Sequence, residues 1–149
     1  MDRLEAAGAG LKEGPRQTPG PSRTAVSADR FLQDSRLAEE IFGPGVLGVE
    51  AVDRAELIAI CEGLEGQLTA TLMSGEGDED LLLELPPILE ERAGRILFGG
   101  FPTGAEFCAA MQHGGPWPAS MDSRSSSAGT AVIERFFRPV SCQSAPELV

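Results

Sequence analysis

The sequence predicts an α/β fold, and three observations predict it. Strand-length segments at 45–52, 68–73 and 95–98 alternate with two segments whose apolar residues recur at helical spacing. The strands at 68–73 and 95–98 read as buried, and strand–helix alternation of this kind places parallel strands side by side. Between the first two strands, Asp53 and Glu56 stand three residues apart just before an apolar run, the pattern of a helix N-cap with its capping box.

In chain order, residues 1–23 hold Gly8, Gly10, Gly14, Pro15, Pro19, Gly20 and Pro21, a density that predicts flexible coil with at most a short helix at 3–7. A short strand is expected at 24–27. Residues 29–40 read as a helix carrying Phe31, Leu32 and Leu37, and 45–52 as the next strand. Leu57, Ile60, Cys61 and Leu64 then repeat on one helical face. A loop at 74–77 leads to a helix at 78–93, which Pro86-Pro87 should kink or end. The acidic run at 76–80 suits a solvated helix N-terminus, where negative charge is favoured, and it lacks the regular spacing of a calcium loop.

Beyond Gly99 the pattern loosens into Gly, Pro and Ser up to Gly129, apart from a possible helix at 106–112. Residues 130–137 place Val132, Ile133, Phe136 and Phe137 on one helical face, and 139–142 reads as a terminal strand. Three segments follow: 1–23 flexible, 24–137 one α/β unit, 138–149 a tail.

Composition narrows the function classes. A chain of 149 residues can bury roughly 70% of its unfolded surface as one compact domain. Eighteen Gly, eleven Pro and only eight aromatic residues predict many turns and a modest core. The net charge of −11, with no basic patch, argues against nucleic acid, whose phosphates need clustered Lys and Arg. No apolar run approaches the ~20 residues of a membrane-spanning helix, and the acidic N-terminal stretch lacks a secretory signal's apolar segment. Cys61, Cys108 and Cys142 are odd in number, without metal-type spacing, which suits reduced thiols and a cytoplasmic protein. One histidine excludes a His-rich metal site.

The most informative stretch is Glu40-Ile41-Phe42-Gly43-Pro44. On an extended chain Glu40 and Phe42 share one side. A carboxylate there can accept hydrogen bonds from two neighbouring sugar hydroxyls, beside a flat apolar ring, before a turn set by Gly43-Pro44. Taken alone, the five residues read better as a helix end with Phe42 in the core.

Five ordered blocks change the balance: AEEIFGP at 38–44, EGQLTATL at 65–72, GRILFGGFPTG at 94–104, HGGPWPASMDSRSSSAG at 113–129 and RFFRPV at 135–140. In that order the chain resembles aldehyde dehydrogenases from about residue 24 onward, and within them the NADP-dependent branch that oxidises 2-oxoglutarate semialdehyde (2,5-dioxopentanoate). It resembles only the C-terminal part of that family, whose members are several times longer. The resemblance implies part of the catalytic domain, a parallel-type sheet with helices, followed by a terminal strand that joins a neighbouring subunit's sheet. A homo-oligomeric complete enzyme is expected, because an unpaired edge strand is a liability alone in solution.

The resemblance also assigns residues. Glu40 is expected to hold the nicotinamide ribose hydroxyls of NADP (or NAD), with Phe42 packing near the nicotinamide ring. Phe101, His113 and Trp117 fall in loops matching the mouth of the path taken by the small aldehyde substrate. His113 has a bland reading of equal weight, as a turn residue bonded to local backbone. Gly99 departs from the family, which has Asn directly after the strand matching RILF; glycine cannot supply that amide.

The family's chemistry runs through a thiolate that attacks the aldehyde, hydride transfer to the cofactor, and hydrolytic release of the acid. None of the three cysteines is a credible nucleophile. The family's nucleophile lies in a G-Q-x-C context upstream of EIFGP, absent here; Cys61 reads as core. A strand-to-helix G-x-G-x-x-G is likewise missing: Gly43, Gly45 and Gly48 approach the spacing but precede a strand. The expectation is an enzyme fragment inactive by itself, the alternative a non-catalytic module that docks onto a full-length relative.

Overall fold

The computed structural model describes residues 10–11, 20–102, 104 and 106–145. Strand β1 (Gly10–Leu11) pairs antiparallel with β2 (Ser22–Ser27), which pairs parallel with β3 (Gly45–Glu50). Strands β4 (Ala70–Leu72) and β5 (Ile96–Phe98) form a separate parallel pair. The fold is therefore mixed α/β with two small sheets, each containing a parallel pair joined through a helical crossover.

The expected coil at 1–23 contributes β1 and the first two residues of β2; the helix expected at 3–7 lies outside the described residues. On β2, Thr24 and Val26 point inward while Arg23, Ala25 and Ser27 are exposed, the period of two that a half-covered strand requires. Ser27 then caps α1 (Ala28–Gln33), its hydroxyl accepting from the Arg30 amide at 3.3 Å.

The single helix expected at 29–40 is instead split. Asp34 closes α1, donating its amide to the Phe31 carbonyl, and its side chain caps a following 3-10 turn (Ser35–Ala38). The division lets Phe31 and Leu37 both turn inward against Val26. The capping expected at Asp53 is present: its carboxylate accepts from the Glu56 amide at 2.9 Å and opens α2 (Arg54–Gly63). Glu56 reaches back one residue further than a standard capping box, to the Val52 amide at 3.0 Å.

Helix α2 joins two hydrophobic clusters. Ile60 and Leu64 pack against the Val26–Phe31–Leu37 group, while Leu57, Ile58 and Leu64 pack against Cys61, Leu85 and Leu89. Helix α3 (Glu79–Glu90) runs through Pro86 and Pro87, which neither end it nor break its packing. Those prolines remove donors that would have reached Leu82 and Leu83, and Leu83 is exposed to water. Leu85 and Leu89, each 4% exposed, hold the helix to the core on either side, and Arg54–Glu84 at 2.6 Å ties it to α2.

Three further expectations are corrected. Residues 106–112 form bends and turns rather than a helix. Residues 130–137 adopt a 3-10 helix (Thr130–Phe136) with no buried residue, so its apolar face meets solvent. Among the described residues, the segment 139–142 forms no strand. No helix among the described residues is long and apolar enough to cross a membrane.

Candidate functional site

Glu40 and Phe42 lie on the linker between the 3-10 turn and β3. The chain is fixed just upstream by Asp34, which accepts from Arg36 Nε at 2.8 Å and Nη2 at 2.7 Å. Those hydrogen bonds hold the Asp34 carboxyl down at about 2, well below its ordinary value. Downstream, Gly43 adopts φ +153°, a region most side chains avoid, and the Pro44 carbonyl accepts from Ser22 at 2.8 Å at the start of the β2–β3 ladder. The intervening residues are thus anchored at both ends.

Neither side chain is used by the fold. Phe42 is 93% exposed, so the reading that puts its ring in the core is excluded. Glu40 is exposed and makes no hydrogen bond or ion pair among the described residues. An ionised carboxylate offers acceptors only, and Phe42 presents an open aromatic face two residues further on.

His113 and Trp117 belong to a loop pressed against the amino ends of β4 and β5. The Gly66 amide donates to the Trp117 carbonyl at 3.2 Å, and the Gly94 amide to Gln67 at 3.2 Å. Backbone meets backbone here. A Cβ at Gly66 would collide with the Pro116 carbonyl, one at Gly94 with Gly114, and one at Gly115 with Gln67.

Three serines brace the same loop. Ser126, buried, accepts from the His113 amide at 2.9 Å; Ser127 donates to the His113 carbonyl through its amide at 2.9 Å and its hydroxyl at 2.8 Å; and Ser120 bonds both backbone groups of Gly115. The His113 main chain is thus held by Ser126 and Ser127 from more than ten residues away rather than by local backbone. Its imidazole is different: Nδ1 is buried without a hydrogen-bond partner among the described residues. Sequence reading missed both the serine brace and the glycine seal, although SRSSS at 123–127 and the isolated Gly66 and Gly94 were visible.

Phe101 leaves the opposite, carboxyl end of β5 through Gly99 and Gly100, at φ +75° and +76°. It is 83% exposed and Trp117 76% exposed. Phe101 thus departs from the end of β5 opposite His113 and Trp117, and Glu40 and Phe42 lie on the linker leading into the other sheet.

Of the cysteines, Cys61 is buried within the α2–α3 core, where desolvation, then the Glu62 charge, pushes its thiol up; Cys108 and Cys142 are exposed. No cluster of three or more His, Cys, Asp or Glu positioned for a metal occurs among the described residues.

No protein-family model matches the chain. Similarity to characterised proteins is nonetheless extensive. It is 47% identical over 122 residues to α-ketoglutaric semialdehyde dehydrogenase 2 of Azospirillum brasilense, covering 82% of this chain and 23% of that protein. It is also 47% identical over 114 residues to α-ketoglutaric semialdehyde dehydrogenase of Acinetobacter baylyi, covering 76% of this chain and 22% of that protein. These relatives are of the branch that the five motifs resemble, and the chain spans under a quarter of their length.

Proposed function

We propose that this chain, homologous over about four-fifths of its length to α-ketoglutaric semialdehyde dehydrogenases, is a portion of an NAD(P)-dependent aldehyde dehydrogenase. In this reading it supplies the clamp on the nicotinamide side of the cofactor. The carrying observation is the pairing of an uncommitted carboxylate, Glu40, with a ring, Phe42, that the fold leaves open to solvent on a linker anchored at both ends.

Glu40 accepts hydrogen bonds from the ribose hydroxyls, and Phe42 packs near the nicotinamide ring. When bound, the cofactor supplies the hydride acceptor for oxidation of the aldehyde, α-ketoglutaric semialdehyde, to its acid. A ring tethered through its ribose samples fewer unproductive orientations, which is how these two residues favour the reaction. Discrimination between NADP and NAD falls to contacts with the 2′-phosphate, outside the reach of this pair.

Phe101, His113 and Trp117 shape the entrance for substrate, with the buried His113 Nδ1 as a positioned polar atom. They converge when the remainder of the enzyme surrounds both ends of β4–β5. The extended tail following Phe137 provides contact between subunits of the assembled homo-oligomer. The nucleophilic cysteine and the base for hydrolysis come from the remainder too, since Cys61 is sealed in the core.

Saturation-transfer NMR of the purified chain with NADP tests the clamp. Transfer is expected to the nicotinamide and its ribose in preference to adenine, and to disappear in Glu40→Ala and Phe42→Ala. Equal transfer to both ends of NADP overturns the assignment. With NADP and α-ketoglutaric semialdehyde together, the chain alone should give no absorbance rise at the reduced-cofactor band.

A further inference from the structure

We draw no further inference here: the strongest candidate, the uncovered apolar face of the last 3-10 helix with Ile133, Phe136 and the adjoining Phe137, carries none because nothing in the structure shows what covers it.

Discussion

Gly94→Ala isolates the backbone seal under the His113–Trp117 loop. The added Cβ would lie closer than 3.0 Å to the Gly114 carbonyl, which is backbone and cannot swing aside as a side chain does. Retreat of Gly94 strains its hydrogen bond to Gln67, and retreat of the loop strains the bond from Gly66 to Trp117, each 3.2 Å in the native arrangement. Losing two such bonds costs about 2 kcal/mol at roughly 1 kcal/mol each, and residual crowding adds about 1 kcal/mol at the low end of overpacking penalties. Restriction of the unfolded chain returns about 0.5 kcal/mol. The net loss is about 2.5 kcal/mol, a fall in Tm of roughly 5–10 °C for a domain of this size.

Gly48→Ala is the matched control. Its Cβ would sit 3.6 Å from the Thr24 carbonyl, ordinary van der Waals contact, so stability should hold or rise by about 0.5 kcal/mol. Thermal melts followed by far-ultraviolet circular dichroism compare the two. If Gly94→Ala melts within a degree of the parent, the close approach of the loop is not a feature of the folded protein.

Other outcomes follow from individual contacts. Asp53→Ala should cost about 1 kcal/mol in urea unfolding, because it orphans the Glu56 amide at the start of α2. Arg36 lowers the folded-state value of Asp34 from 3.8 to about 2, so its stabilisation is full above 3.8 and vanishes as pH falls through 2. The stability difference between the parent and Asp34→Asn should therefore shrink over that window in acid titrations. Cys108 and Cys142 should react rapidly with a thiol reagent while Cys61, buried and with its thiol pushed up, waits for unfolding; equal rates at all three would contradict the packing of α2.

Local chemistry was the most legible part of the fold. Asp53 and Glu56 announced α2 because a capping pattern acts over three residues, and the apolar runs announced β3, β4 and β5. What escaped depended on partners distant in sequence. The split at Asp34 arises because Phe31 and Leu37 must both reach Val26, which no window over 29–40 contains. Pro86-Pro87 stayed helical because Leu85 and Leu89 are held by α2. The exposed face of the last 3-10 helix shows the converse: Ile133 and Phe136 have the spacing of a buried stripe, but nothing among the described residues covers them.

The candidate site was legible unevenly. Glu40 and Phe42 were singled out by their motif, and the structure adds that both are exposed. The setting of His113 was not identifiable, because its brace comes from Ser126 and Ser127, more than ten residues away, and its seal from glycines that approach only in the folded chain.

The central claim is that Glu40 and Phe42 grip the nicotinamide half of the cofactor. Two-dimensional amide NMR of the isotope-labelled chain, titrated with nicotinamide mononucleotide and separately with adenosine monophosphate, tests it most directly. Shifts confined to residues 39–45 with the first ligand, lost in Glu40→Gln and absent with the second, are the predicted result. Shifts that map to another surface, or that persist in Glu40→Gln and Phe42→Ala, would contradict it.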